Sequence, residues 1–326
     1  MPLPTASTYN EASPPINAAL MEESPAERFA REGYLCPIPV LTAHEIDAAR
    51  DPILALAGAD GGQLLPHFKH KLHLMFGWAD QLVHHPRVLD AVEAVLGPDL
   101  LCWTSNLLIK GPGHPSFVSW HQDASYWGLD PLEVVTAWIA LTPSAVASGC
   151  VSVRPGSHHG PKLVHVDTYD RDNLLTRGQA IPEEIMTPET ADLVLAPGEM
   201  SLHHIMLVHG SGPNQTDAPR IGFAIRYMSA RVRKLGRPES AMVVRGSGQM
   251  STFVPEARPR GDFELAGRVA HNRAVRRQVR NNFRPVGPTS TGGRARLALK
   301  GGLSVGGLDL LHAGLKMKAL FSRHPA

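Results

Sequence analysis

The chain has 326 residues, 43% of them hydrophobic and 19% charged, with a formal net charge of +2. That length can bury a large core, and the near-balanced charge excludes a general electrostatic draw toward nucleic acid or a membrane surface. Three cysteines (Cys36, Cys102 and Cys150) are too few and too scattered for a disulfide framework or a zinc pattern, so a reducing, cytoplasmic setting is expected.

No apolar run approaches the roughly 20 residues needed to cross a bilayer. The first residues also lack the basic-then-apolar pattern of a signal peptide, and a soluble protein is the expectation. Residues 1–23, rich in Pro, Ser, Ala and Asn, read as a flexible arm. Order is predicted to begin at Ser24-Pro25-Ala26-Glu27, a capping box with proline at the first helical position. A second box, Thr42-Ala43-His44-Glu45, opens a helix with Ile46, Ala49 and Ile53 on its apolar face. A third helix follows Pro86, carries Val88, Val92 and Val95 in helical spacing, and ends at Gly97-Pro98.

The middle of the chain changes character. Short β-rich runs bounded by Gly and Pro fall at 101–110, 115–123, 134–142, 149–154, 192–195, 200–209 and 220–231. Turns, not regular helices, separate them, which predicts an antiparallel arrangement. The fold expected is mainly β with flanking helices around a closed double-stranded β-helix, a cupin-like jelly roll spanning residues 24–255. The stretch 156–190 exceeds a simple hairpin and reads as a lid or binding segment.

From about residue 256 the composition shifts again, with Arg258, Arg260, Arg268, Arg273, Arg276, Arg277, Arg280 and Arg284 in a segment of little apolar periodicity. Residues 256–326 read as a basic, partly helical extension, solvated in preference to bound to nucleic acid. Leu310, Leu311, Leu315 and Leu320 predict a terminal helix packing back on the body.

The chemistry centres on His121-Gln122-Asp123. On a strand, residues i and i+2 point to one side, so His121 and Asp123 would face one point while Gln122 turns away. A third ligand from a distant strand would complete a facial triad of the non-haem iron type. The tripeptide alone is weak evidence: a second His-x-Asp occurs at His165-Val166-Asp167, and the chain has 17 histidines.

Context strengthens it. Trp120-His121-Gln122-Asp123 is followed by Gly149-Cys150-Val151-Ser152-Val153-Arg154-Pro155-Gly156-Ser157-His158, then Gly198-Glu199, His209-Gly210-Ser211-Gly212-Pro213-Asn214, Arg220 and Arg226-Tyr227. In order and spacing, residues 24–231 resemble the phytanoyl-CoA dioxygenase family of iron(II)- and 2-oxoglutarate-dependent oxygenases, which includes ectoine hydroxylases. The segment Glu27–Leu35 resembles that family's entry from helix to strand.

The resemblance implies that His121, Asp123 and His209 hold Fe(II), with His203 and His204 as rivals for the distal position. His158 and His159 are expected to face solvent. Arg220, eleven residues past His209, falls at the family's anchor for 2-oxoglutarate, with Ser211 sharing the same carboxylate. A planar guanidinium suits that bidentate task. Trp138 aligns with an aromatic residue near the co-substrate, and Asn106, Lys110 and Arg226 have strand parity consistent with pointing inward, where they are candidates for binding that co-substrate. Trp127 aligns with a substrate-facing aromatic. Arg177, Arg154 and Arg231 are candidate cations for an acidic substrate.

The implied reaction is hydroxylation of an unactivated carbon of a small organic metabolite, consuming 2-oxoglutarate and O2 and releasing succinate and CO2. A carboxylate at position 123 favours hydroxylation over halogenation, since related halogenases carry a small residue there. The competing expectation is a catalytically inactive jelly roll that binds a small molecule. No membrane or nucleic-acid partner is expected.

Overall fold

The computed structural model describes residues 23–57, 68–175, 177–185, 189–250 and 252–282. The expected arm at 1–22, Arg284 and the expected terminal helix therefore lie outside the described residues.

The helical opening follows its local signals. Helix α1 (Pro25–Glu32) starts at Ser24 with a reciprocal capping box to Glu27. It leads into strand β1 (Tyr34–Pro39), and α2 (Ala43–Ala57) starts at the second box, where Thr42 N donates to Glu45 at 2.8 Å. Two further helices, α3 (Gly77–Val83) and α4 (Pro86–Leu96), complete this layer.

The strands follow in turn. They are β2 (Leu100–Lys110), β3 (Val118–His121), β4 (Leu129–Asp130), β5 (Val134–Ala140) and β6 (Val151–Val153), with a one-turn helix α5 (Ala124–Trp127) after β3. Two short strands, β7 (Val166–Asp167) and β8 (Gln179–Ala180), make a hairpin inside the long 156–190 stretch. Next come β9 (Ala191–Leu193), β10 (Glu199–His204), β11 (His209–Ser211) and β12 (Arg220–Ser229). The strands β13 (Arg233–Lys234), β14 (Ser240–Arg245) and β15 (Val254–Pro255) precede helix α6 (Leu265–Asn282).

Seven strands form the larger sheet, in the order β1-β10-β5-β12-β2-β14-β15, and β3-β11-β6-β9 form a second sheet of four. Both faces of the larger sheet are buried, which is why β5 reads as a continuous apolar run. Val135, Ala137 and Ile139 pack toward the helical layer with Phe223, Ile225 and Tyr227 of β12. The Tyr227 hydroxyl donates to Val83 O in α3 at 2.8 Å, fixing that contact. On the opposite face Trp138, Ala140 and Ala224 pack against Val151, Val153 and Leu193 of the smaller sheet.

The mainly β jelly-roll architecture matches expectation, with one correction. The two sheets do not close into a barrel; they remain separate ladders joined by side-chain packing. The run 200–209 is also two strands: β10 belongs to the larger sheet, and after a turn at Ile205–Val208 the chain enters the smaller one as β11.

Helix α6 shows a stripe that arginine-rich composition obscures. His271, Ala274, Val275 and Gln278 are buried at helical spacing, and Arg273, Arg276 and Arg280 point outward. The His271 ring bonds His70 O at 2.8 Å, tying the helix to the segment before the 3-10 turn Leu72–Leu74.

Candidate metal centre and co-substrate pocket

His121 and His209 are direct cross-strand partners in the β3–β11 ladder, and their rings lie 4.1 Å apart between centroids. Asp123 arrives by a different route from the one strand parity predicts. Strand β3 ends at His121, and Asp123 has helical backbone angles (φ −58°, ψ −35°) at the start of α5. The chain therefore turns back on itself, and the carboxylate meets both imidazoles. One ligand atom from each of the three residues lies within 4.8 Å of the others.

The donor atoms are oriented by the backbone. Nδ1 of His121 sits 2.9 Å from Ser119 O, and Nδ1 of His209 sits 2.9 Å from Leu207 O. A ring nitrogen beside a carbonyl must donate, so both Nε2 atoms keep a free lone pair. These face Asp123: His121 Nε2 is 3.5 Å from Oδ1 and His209 Nε2 is 4.0 Å from Oδ2. Thr136 donates to the second carboxylate oxygen at 3.4 Å. All three side chains are buried.

Burial opposes charge on Asp123, but the His121 and His209 imidazoles and the Arg226 guanidinium hold its carboxyl below the usual carboxylate range. Burial, with His121 and His203 nearby, pushes His209 well below an ordinary imidazole. Two imidazole nitrogens and one carboxylate on one side of a point fit a divalent iron ion.

A second cluster adjoins the triad. Arg220 and Lys110 are register partners across β12 and β2, and both are buried. Arg220 donates to Gly149 O and, at 3.3 Å, to the Ser211 hydroxyl, while Lys110 donates to that same hydroxyl. The Arg220 guanidinium lies 5.0 Å from the Trp138 ring centroid, its Nε is buried without a hydrogen-bond partner, and so is the Trp138 indole nitrogen. Buried donors left unpaired are costly unless a ligand answers them.

Two glycines make this pocket possible. Trp138 lies across Gly222, where a Cβ would fall 2.0 Å from the indole ring. Gly149 has φ +68°, and a Cβ there would fall 2.2 Å from Gly212 O. Neither emerged from sequence reasoning, although a glycine inside a strand run such as β12 is itself a signal of close approach.

The other candidates are distributed as follows. Arg226 faces the triad, donates to Asn106 at 2.6 Å, and stands 5.6 Å from the Trp127 ring centroid. Trp127 packs on Trp103 at 4.9 Å, forming an aromatic wall beside α5. His203 stacks on His209 at 4.7 Å without joining the ligand cluster. Arg177 is buried and pairs with Asp167 at 3.2 Å, so its charge already has an acid in the β7–β8 hairpin. Arg231 is exposed and pairs with Glu133.

One expectation needs correction, and two neighbouring residues make contacts that the sequence did not announce. His158 is half-buried, bonds Ala30 O at 2.9 Å and contacts the His204 ring; His159 alone of that pair is exposed. His165 is half-buried, and its Nε2 accepts from Gln122 N at 2.9 Å, holding the 156–190 stretch on the motif. Gln122 does not merely face away. It is fully buried, donating to Met206 O at 2.9 Å and accepting from Leu163 N at 2.7 Å.

A jelly-roll frame carrying two histidines and a carboxylate on one buried point defines the non-haem iron oxygenase class. Comparison with known proteins narrows it. Residues 29–222, more than half of the chain, match the phytanoyl-CoA dioxygenase (PhyH) family model, and the chain belongs to that family. It is 31% identical over 191 residues to a probable alpha-ketoglutarate-dependent hypophosphite dioxygenase of Stutzerimonas stutzeri, covering 56% of this chain and 64% of that protein. It is 28% identical to the human peroxisomal phytanoyl-CoA dioxygenase over 44% of each chain. The chain thus spans less than two thirds of the length of these curated relatives. The solved structure of the non-heme monooxygenase ThoJ is similar at 35% identity and TM-score 0.69, over 85% of this chain and 98% of that one. Among the described residues no helix is long and apolar enough to cross a membrane.

Proposed function

We propose that this protein is an Fe(II)- and 2-oxoglutarate-dependent dioxygenase that hydroxylates an unactivated carbon of a small organic molecule and releases succinate and CO2. The observation that carries the reading is the convergence of the His121, Asp123 and His209 donor atoms within 4.8 Å, beside the buried Arg220 guanidinium, which no carboxylate among the described residues pairs with. When bound, iron supplies dioxygen activation coupled to oxidative decarboxylation of 2-oxoglutarate.

The chain's own contribution is placement. Ser119 O and Leu207 O fix the imidazole tautomers, and Thr136 orients the carboxylate. Arg220 and the Ser211 hydroxyl hold the distal carboxylate of 2-oxoglutarate, with the Trp138 ring 5.0 Å from the guanidinium. Trp127 and Arg226 stand beside the triad, where a substrate would lie, and Arg226 suits a substrate bearing an acidic group. The lid segment pinned by His165 and Gln122 excludes water from that space. Asp123 would supply a carboxylate to the iron, which favours a hydroxylated product, and a chlorinated product would overturn that part of the reading.

Anaerobic addition of Fe(II) and 2-oxoglutarate should give a weak visible charge-transfer band, and His121→Ala or His209→Ala should abolish both the band and iron-dependent succinate release. Absence of the band, with neither ligand raising the melting temperature, would favour a small-molecule binding protein instead. Succinate release screened across acyl thioesters, amino-acid derivatives, terpenoid acids and hypophosphite would identify the substrate.

A further inference from the structure

Lys110 presents a buried amine that no acid among the described residues pairs with. It ends β2 directly opposite Arg220, and its side chain is fully enclosed. Its ammonium meets the Ser211 hydroxyl, the Gly212 carbonyl, Ser211 O at 3.3 Å and Gly149 O at 3.4 Å. Every one of these acceptors is neutral. Arg220 crowds the same hydroxyl and the same Gly149 carbonyl from β12. Among the described residues the other titratable group that faces this pair is Cys150, just before β6, and burial pushes its thiol up, so it brings no negative charge. Charging both groups against one hydroxyl would set two cations in repulsion after both had lost their hydration. An anion placed between them removes both penalties at once.

We propose that Lys110 is a second cation for the distal carboxylate of 2-oxoglutarate, so that Arg220 and Lys110 bracket that group with Ser211 between them. This rests on the 2-oxoglutarate reading above and adds a ligand-linked proton to it. Burial and the adjacent Arg220 push Lys110 down to about 6, so at pH 7.5 the free pocket holds it mostly as the neutral amine. A bound carboxylate favours the ammonium and raises the pKa. The proton then arrives together with the co-substrate. Affinity is greatest near and below pH 6 and falls by about tenfold per pH unit above it, until the pH passes the value Lys110 takes in the complex.

The test is calorimetric titration of 2-oxoglutarate into the full-length, Mn(II)-loaded protein between pH 6.5 and 8.5, in two buffers of different ionisation enthalpy. Close to one proton taken up per ligand at pH 7.5 is expected, together with a dissociation constant that rises with pH. The same titration with 2-oxopentanoate, which keeps the chelating end and lacks the distal carboxylate, should show no uptake. Lys110→Met should weaken 2-oxoglutarate at least tenfold at pH 6.5 and flatten its pH dependence. Normal wild-type binding without proton uptake, or Lys110→Met with unchanged affinity and uptake, would reduce Lys110 to a tie for the surrounding carbonyls and overturn the proposal. Failure of wild-type protein to bind 2-oxoglutarate at all would sink the co-substrate reading itself, a result separable from the loss of Lys110 alone.

Discussion

Removing the Arg220 guanidinium measures how much co-substrate affinity one side chain carries. A charge-assisted bidentate contact contributes about 1.5–3 kcal/mol, so Arg220→Ala should raise the 2-oxoglutarate requirement roughly 10- to 150-fold. A steady-state titration of 2-oxoglutarate checks this, and an unchanged requirement would move the anchor to another cation, Arg226 first. Gly222 makes a quieter prediction. A methyl group there would fall 2.0 Å from the Trp138 ring, so Gly222→Ala should cost about 1–3 kcal/mol of stability and displace the indole from Arg220. Combining it with Trp138→Leu should recover part of the loss in thermal melts, because the two substitutions share one space.

At the scale of elements, the 156–190 stretch is held by the short β7–β8 ladder and by local side-chain pairs. Asp167 on β7 pairs with the buried Arg177, so Asp167→Asn would leave that charge poorly compensated. Faster hydrogen exchange across residues 166–180, with metal affinity little changed, is the expected outcome; protection equal to wild type would show that the pair does not hold the hairpin. What the chain announces in advance depends on how local the signal is. Both capping boxes and the Pro86 start are read directly, because the residues that decide them lie within four positions of each other. The division of 200–209 between two sheets is not readable, since only packing against β5 on one side and β3 on the other separates β10 from β11. Asp123 reaches the triad through a helical turn, although alternation along a strand predicts the same meeting. In α6 the arginines conceal the buried stripe, because His271 and Gln278 do not register as apolar. Lys110 and Gly222 gain meaning only once β2 and β12 are laid side by side.

For the whole molecule, a buried polar knot joins parts of the chain distant in sequence. Lys71, fully enclosed, pairs with Glu256 at 2.7 Å and bonds Ser240 O at 3.0 Å, and His73 meets the same carboxylate at 3.4 Å. The first residues of the basic extension thus enter the core, and Arg258 pairs with Asp80 of α3 just beyond. Burial would raise Glu256, but Lys71 and His73 hold it down to about 2, and burial pushes His70 down to about 4. Both groups bind protons less readily in the folded state than in the unfolded one. Their contributions are therefore complete above the ordinary values, near 6.5 for His70 and 4.5 for Glu256, and are lost as pH falls toward 4 and 2 respectively. Melting temperature should decline in two stages on acidification. Glu256→Gln should remove the lower stage and cost about 3–5 kcal/mol at neutral pH by stranding Lys71, as chemical denaturation at pH 7 and pH 4 would reveal.

Both histidines of the metal site belong to the four-stranded ladder, whereas Arg220 and Lys110 project from the seven-stranded one. A molecule that chelates at one end and is clasped at the other must bridge the seam filled by Trp138, Val151, Val153 and Ala224. The gap between the sheets is therefore a ruler for carbon-chain length: trimming Val151 or Val153 would shift which oxo-diacid fits, with the triad and Arg220 left in place.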